Sequence, residues 1–538
     1  MLDQKDLKPR DLQRPDEQLV KLTDKDIMPL PKPYDKPGME PSFTEPKAAW
    51  KEKYCTSLDG FVALDTLTRP KTPEAEEEFV QKFLSGLEKI FSDCNGGILQ
   101  PLSLTFEYCA KCNTCSEACH VYEGSGNNEL YRPIFRSEVL RKLYKKYFTT
   151  SGKVFGGLVG ADMDATWESV ARLGEAAYRC NLCRRCAQTC PLGLDNSIPA
   201  KEIRKIFSQE MGIAPSPIHS KGTVNQLKTG SSTGLTKPAF LDTVEFLEEE
   251  LEEKFGRKIK FPIDKKGADI LLVHNAGEFI AWPQNPMAFA ILFEEAGLNW
   301  TLSSEMMGYD SVNYGIWYDD IQAKRVATGQ MTAAKDLGVQ RVVIGECGHA
   351  HKAAAVIADR MVFGDAKVPV ESCFPLLREI AFSGALKFDP SKNNFPVTLH
   401  DPCNVVRQMG IVQPQRDILK LIAPQFREMT PHGVDNYCCG GGSGFAIMNS
   451  PNFGEFRNKV SARKKFAQIL NAFQDTIEDP SVVKYICAPC SNCKGTIRGL
   501  LEYYEATEKF NLQYDGLVEL MVNALVSMDK PYFEFLES

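Results

Sequence analysis

The chain has 538 residues, 43% of them hydrophobic and 10% aromatic, which is enough apolar surface for two or three packed domains. A net charge of -7 gives no basic field and argues against nucleic acid as a partner. Eighteen cysteines are many, and their two-residue spacing points to metal ligation more than to disulfides.

The first residues, Met1-Leu2-Asp3-Gln4-Lys5-Asp6, lack a basic start followed by an apolar stretch, and no apolar run approaches the roughly 18 residues of a spanning helix. A cytoplasmic location is expected, peripheral to the inner face of a membrane only through another subunit. Residues 1–72 read as an extended arm, because Pro29, Pro31, Pro33, Pro37, Pro41 and Pro46 disfavour helix and packed core alike. Such a composition fits a disordered tail or an arm that gains order on a partner subunit.

From Pro73 onward, Phe79, Phe83, Leu84, Leu87 and Ile90 recur at helical spacing and predict an amphipathic helix over 74–93. It leads into Cys109-x2-Cys112-x2-Cys115-x3-Cys119, and a second run follows as Cys180-x2-Cys183-x2-Cys186-x3-Cys190-Pro191. These are the runs of two-cluster ferredoxins, in which three close thiolates grip one cubane [4Fe-4S] cluster and the fourth reaches the other. Cluster 1 is therefore expected on Cys109, Cys112, Cys115 and Cys190, and cluster 2 on Cys180, Cys183, Cys186 and Cys119. His120 stands where the first run lacks the usual proline. Zinc is disfavoured, since its sites use two separated ligand pairs and not two interleaved runs of four. Helix-like stretches over 134–147 and 165–178 make 73–220 a helical ferredoxin domain.

Residues 221–260 read as a linker, with Gly230-Ser231-Ser232-Thr233-Gly234, followed by an acidic surface helix over 242–255. Beyond it, 261–538 repeats itself approximately. The apolar run Asp269 to His274 matches Pro396 to His400, Arg341 to Cys347 matches Lys484 to Cys487, and Ser311 to Gly315 matches Asp435 to Gly440 more loosely. The expected fold class is α+β multidomain, an α-helical two-cluster ferredoxin domain followed by a duplicated α/β domain. Repeat 261–390 is degenerate, with Asn313-Tyr314 where repeat 391–538 has Cys438-Cys439. Ligands of such sheets sit beyond the carboxyl ends of the strands, where these cysteines fall.

The chemistry concentrates in Cys438-Cys439-Gly440-Gly441-Gly442-Ser443-Gly444. Adjacent thiols fit poorly around one zinc tetrahedron but suit a larger iron-sulfur core, and the glycines let the backbone approach it. With Cys403 upstream and Cys487-Ala488-Pro489-Cys490-Ser491-Asn492-Cys493 downstream, this half resembles the cysteine-rich CCG domain of heterodisulfide reductases. The resemblance implies a noncubane [4Fe-4S] cluster held by five cysteines, Cys403, Cys438, Cys439, Cys487 and Cys490, at which a sulfur–sulfur bond is cleaved. Cys493 is a sixth candidate, and which of the last three is spare stays open; a spare thiol is placed to meet the substrate sulfur.

Joined to a two-cluster ferredoxin domain, the arrangement is similar to the HdrD-like catalytic subunit of membrane-bound heterodisulfide reductase. Its degenerate first repeat and cysteine-rich ending resemble the DsrK-type subunits of the dissimilatory sulfite-reduction membrane complex. That likeness implies a quinol-oxidising heme b membrane subunit (DsrM-like) as electron donor, and a small thiol carrier (DsrC-like) whose disulfide or trisulfide is reduced. His349 and His351 closely follow Cys347, on the loop that mirrors Cys487 to Cys493, and with His400 they are candidate proton donors. Cys55, Cys94 and Cys373 stand alone and read as ordinary buried residues. Two rival readings are an electron-relay subunit of a flavin-linked glycolate or glycerol 3-phosphate dehydrogenase, and a docking subunit that binds a thiol protein without turnover.

Overall fold

The computed structural model describes residues 7–15, 18–45, 58–92, 102–449 and 452–536, so Cys55 and Cys94 lie outside the described residues. The chain divides into two compact units. The first takes the residues up to His219 with Trp317–Asp320 and Tyr437–Ala467; the second takes Ser220–Ile316, Ile321–Asn436 and Gln468–Ser538.

The first unit is helical. Helix Pro73–Ser92 buries Phe83, Leu84, Leu87 and Ile90 of the face marked by the apolar spacing, together with Val80, while Phe79 is half-buried. Helix Trp167–Ala177 is buried on every side and serves as the central post, with Pro133–Phe148 beside it. Just beyond the post, Arg179 forks onto Asp59 with two 2.8 Å bonds, both side chains fully buried, and the Tyr131 hydroxyl donates to the same carboxylate at 2.8 Å. A buried carboxylate with three such donors has its charge fully met.

The proline-rich arm is laid along its own chain. Leu19, Val20, Leu30 and Tyr34 are buried, and Tyr34 packs on Phe466 with ring centroids 5.2 Å apart. Glu40 takes the Arg463 guanidinium in a fork of 2.6 and 2.9 Å. Prolines supply no N–H, so an arm of this kind is held by side chains and by donors from outside it. Arg463 Nε on the Met28 carbonyl and Lys459 Nζ on the Pro41 carbonyl are such donors.

The second unit holds two small all-parallel sheets. The first consists of β1 (Ile270–Val273), β2 (Trp300–Thr301), β3 (Arg341–Ile344) and β4 (Val370–Ser372), in the order β2-β1-β3-β4. The second consists of β5 (Val397–Leu399), β6 (Phe426–Arg427), β7 (Lys484–Cys487) and β8 (Leu512–Asp515), in the order β6-β5-β7-β8. All four residues of β1 and all four of β7 are buried, so neither alternates; β1 is a continuous apolar run, and β7 is one after its first residue, Lys484. One core joins β1, β5 and β7 with helices Gln284–Glu295 and Leu517–Asn523. Helix Lys237–Phe255 starts earlier than the sequence pattern predicts and lays Phe240, Val244, Leu247 and Leu251 on that core.

The glycine- and serine-rich stretch read as a linker is built into this unit. Asn225–Thr229 is helical, Ser231 and Ser232 are buried, and the Ser232 amide and hydroxyl each donate at 2.6 Å to Asp310 Oδ2. Small hydroxyl residues serve a buried carboxylate as readily as they make a flexible link, and composition does not separate the two. Among the described residues, no helix is long and apolar enough to cross a membrane.

Glu40→Ala leaves Arg463, whose side chain is 1% exposed, without its carboxylate. The expected cost is about 1–3 kcal/mol, with faster protease cleavage within residues 18–45. Thermal unfolding and limited proteolysis measure both; unchanged cleavage would mean that the arm is held elsewhere.

Candidate functional site

The two ferredoxin-type runs fold alike. In each, the residues on either side of the second cysteine take the left-handed conformation: Lys111 (φ 55°) and Asn113 (φ 65°) around Cys112, Leu182 (φ 50°) and Arg184 (φ 62°) around Cys183. Short helices Thr114–Glu117 and Arg185–Gln188 follow and carry the third cysteine of each run. Four non-glycine residues at positive φ are strained, and such strain concentrates where backbone must curl around a bound group.

The thiols fall into two sets. Burial raises the Cys115 thiol above its ordinary range, and Cys109, Cys112 and Cys190 raise it further. Burial pushes Cys119 up to about 12, with Cys183 and Cys180 adding to it and Arg136 opposing. Cys186 is pushed well up by burial, then by Asp195, Cys180, Cys183 and Cys119. Thiols that burial and their own neighbours hold protonated become ligands once a cationic core takes the place of the protons, so both sets fit metal clusters. The sets differ in setting. Cys112 is exposed, with Sγ 3.3 Å from the Thr114 hydroxyl, which lowers its pKa, whereas the second set lies among buried Arg136, Arg185 and Arg204.

Cys438 and Cys439 belong to this same unit and are buried. Gly440 stands at φ 89°, and a Cβ there would lie 2.6 Å from the Ala462 nitrogen. A Cβ on Gly442 would lie 2.8 Å from the Asn181 carbonyl oxygen. Glycine is thus required at both places by close backbone approach. The Gly440 and Gly441 amides face Cys438 Sγ at 3.4 Å and Cys439 Sγ at 3.5 Å, donors suited to thiolate sulfur.

In the second unit, Cys487 ends β7, Cys490 caps helix Ser491–Tyr503, Cys493 sits in its first turn, and Cys403 opens helix Cys403–Gln408 after β5. Leu399 pairs with Cys487, and the His400 amide donates to the Cys487 carbonyl at 2.8 Å, so these four cysteines share the carboxyl end of two adjacent strands. The loop after β3 meets them there. Gly348 N donates to Cys490 Sγ at 3.1 Å, and Ser491 N donates to the Glu346 carbonyl at 2.9 Å. Cys347 lies on that loop, its thiol pushed well up by burial and by Cys490. Cys373 opens helix Cys373–Phe382 within the hydrophobic core.

His349 and His351 are buried beside Cys347 and bonded to the loops around it. His349 Nε2 is 3.0 Å from the Asn313 carbonyl oxygen. His351 lies 2.8 Å from the Cys347 carbonyl through Nδ1 and 2.8 Å from Ser372 Oγ through Nε2. Burial lowers their pKa values to about 3 and about 4, so at neutral pH both rings are uncharged props of the loop. His400 is fully buried just after β5.

Sequence reasoning missed a carboxylate group behind these loops. Glu278, Glu346 and Glu519 are fully buried, Asp515 is nearly so, and Lys494 is enclosed with them. Glu346 accepts from the Leu517 and Val518 amides at 2.9 and 3.2 Å; Asn285 Nδ2 spans Glu519 (2.8 Å) and Glu346 (3.2 Å); Lys494 Nζ lies 3.2 Å from Asp515 and 3.3 Å from Glu519. Burial raises Glu346 to about 7 despite the Lys494 charge, and raises Glu519 well above the carboxylate range with Asp515 adding. Glu346 and Lys494 were visible only as single charges beside a strand and a cysteine loop, which does not announce burial.

Residues 105–194 match the family model described as 4Fe-4S dicluster domain, and residues 397–498 match the one described as Cysteine-rich domain. The chain is 26% identical over 498 residues to the Hdr-like menaquinol oxidoreductase iron-sulfur subunit 2 of Archaeoglobus fulgidus, covering 85% of this chain and 84% of that protein. It resembles iron-sulfur subunits of the heterodisulfide reductase kind. A further relative is a dihydromethanophenazine:CoB--CoM heterodisulfide reductase subunit of Methanosarcina acetivorans, 24% identical over 63% of this chain and 79% of that one. No solved structure matches the chain. These likenesses support oxidoreductase chemistry with electron transfer through iron-sulfur clusters, and the two matched regions contain the two cysteine runs and the six cysteines from Cys403 to Cys493.

Folded Glu346 keeps its proton to about pH 7, while unfolding returns the carboxyl to its ordinary value of 4.5. The folded state therefore loses stability as pH rises through that window and is level above it. Glu346→Gln retains an acceptor oxygen for the Leu517 and Val518 amides. Its stability relative to the native chain is expected to rise between about pH 5 and about pH 7, by about 3 kcal/mol at most, followed by urea unfolding midpoints. A difference that does not vary with pH would mean that the carboxyl is ionised throughout.

Proposed function

We propose that this chain is the catalytic iron-sulfur subunit of a membrane-associated, quinol-linked complex that reduces a disulfide or trisulfide on a small thiol carrier protein of the DsrC type. The observation that carries the reading is the gathering of Cys403, Cys487, Cys490 and Cys493 at one sheet end, beyond the eight thiols that two cubanes use. Electron relay alone has no need of them. The relatives' names support both ends of the reaction, one being a menaquinol oxidoreductase and the other a heterodisulfide reductase.

In this reading Cys109, Cys112, Cys115 and Cys190 hold cubane cluster 1, and Cys180, Cys183, Cys186 and Cys119 hold cubane cluster 2. A third, noncubane cluster takes Cys403, Cys438, Cys439, Cys487 and either Cys490 or Cys493. The clusters supply one-electron transfer, and the third also supplies a place for substrate sulfur. Each quinol, oxidised in a heme b membrane subunit, gives two electrons and two protons; a carrier disulfide takes up two of each and leaves as two thiols, and a trisulfide takes up four of each, from two quinols, and leaves as two thiols and hydrogen sulfide. The chain's own residues position and shield this exchange. The Gly348 amide steadies the Cys490 sulfur, the Gly440 and Gly441 amides face Cys438 and Cys439, and burial keeps bulk water from these thiols. The common strand order of the two sheets supports a duplication in which the first copy lost its thiols and kept Cys347 and its loop as a wall.

Anaerobically purified protein is expected to hold about twelve iron atoms per chain, against about eight for two cubanes alone. Oxidation in the presence of a disulfide- or trisulfide-bearing carrier peptide is expected to produce an electron paramagnetic resonance signal distinct from the reduced cubanes and absent in Cys438→Ser. An iron count of about eight with no such signal would reduce the chain to a relay or docking subunit.

A further inference from the structure

Asn181 sits between Cys180 and Cys183, is 3% exposed, and uses both ends of its amide. Its Nδ2 donates to the Gly440 carbonyl at 2.9 Å and, more weakly, to the Gly442 carbonyl at 3.4 Å. Its Oδ1 lies 2.8 Å from His120 Nε2 and 2.9 Å from the Ser461 hydroxyl, which is itself 3.0 Å from the Gly440 carbonyl. His120 follows Cys119 directly, and its Nδ1 is 4.0 Å from Cys183 Sγ. As Oδ1 can only accept, the ring proton is assigned to Nε2. A second strap runs parallel. Arg204, fully buried against the face of Tyr178, donates to the Cys180 carbonyl at 2.6 Å and to the Ala177 carbonyl at 2.8 Å, and bonds Ser443 Oγ.

These contacts single out one of the two thiol sets. They start at Cys119, Cys180 and Cys183 and end on the carbonyls and hydroxyl of the Cys438–Gly444 loop. We infer that Asn181, braced by His120, Ser461 and Arg204, is a positioning residue that fastens the cluster 2 loop to the Cys438–Cys439 loop, which makes cluster 2 the immediate electron donor to the third cluster and leaves cluster 1, with its exposed Cys112, to receive electrons from outside. The inference rests on the third-cluster reading above. Electron tunnelling favours the shortest bonded path, and here a single hydrogen bond separates the residue after Cys180 from the residue after Cys439. Asparagine suits the place because it offers a donor and an acceptor without charge; aspartate would face the Gly440 carbonyl with a second acceptor. The close approach that excludes any side chain at Gly442 fixes the same two loops backbone to backbone.

The test uses the full chain with its clusters. Cys112→Ser, which alters cluster 1, assigns the two cubane signals. In Asn181→Ala the iron content and both cubane spectra are expected to persist, while the midpoint potential of cluster 2 alone shifts, its magnetic coupling to the third cluster weakens, and freeze-quenched electron transfer to the third cluster slows about tenfold. Unchanged cluster 2 potential, coupling and rate at full iron content would overturn the inference, as would a shift confined to cluster 1. If Asn181→Ala loses iron, Ser461→Ala, which removes one hydroxyl, decides: a smaller shift of cluster 2 in the same direction is expected, and none would overturn the inference. A native count near eight iron atoms would instead overturn the third-cluster reading, and this inference with it, so the two failures are distinguishable.

Discussion

Thiols gathered in a buried pocket oppose one another's ionisation, and the first unit is shaped by the need to gather them all the same. Burial already holds Cys115, Cys119 and Cys186 protonated, and each neighbour's charge adds to the cost. Only a cationic core reverses this, which requires the backbone to present several sulfurs to one point. The four left-handed residues around Cys112 and Cys183 and the tight turn into each short helix meet that geometric demand. The guanidinium groups of Arg136, Arg185 and Arg204 beside the second set then meet the electrostatic one.

The second unit faces a related difficulty with carboxylates. Glu346 and Glu519 are enclosed where ionisation is costly, and the chain answers with peptide amides from the start of helix Leu517–Asn523, the Asn285 amide and Lys494. Both units therefore combine neutral amides with buried cations, Arg136, Arg185 and Arg204 in the first and Lys494 in the second. Asn181 in the first unit and Asn285 in the second each sit at the meeting of several polar groups, and a buried network of this kind fixes one arrangement because partial satisfaction is costly.

Much of this was legible in the chain itself. Cluster ligation dictates cysteine spacing directly, so the runs from Cys109 and Cys180 announce themselves, and β1, β3, β5 and β7 stand out because burial leaves short, mostly apolar runs, interrupted only by Arg341, Thr398 and Lys484. What escaped was long-range. Periodicity reports which face of an element is covered but not by what, so the arm's seat along Phe456–Ser461 and Arg463–Ala472 could not be read from prolines. The same limit hid the pairing of Ser232 with Asp310 and the carboxylates behind Cys490. His349 and His351 show their nearness to Cys347 in the sequence, but only the structure shows the depth that keeps them neutral.

The first unit is not contiguous in the chain: Tyr437–Ala467 completes it from more than two hundred residues beyond His219. During synthesis, both ferredoxin-type runs leave the ribosome long before the Gly440 and Gly442 carbonyls that Asn181 holds, and before Ser443, to which Arg204 is bonded. Until then the loop that carries Cys180 and Cys183 lacks the wall that these bonds supply. Completion of that wall therefore waits on the translation of a distant segment, so the first unit closes only after most of the second has been made.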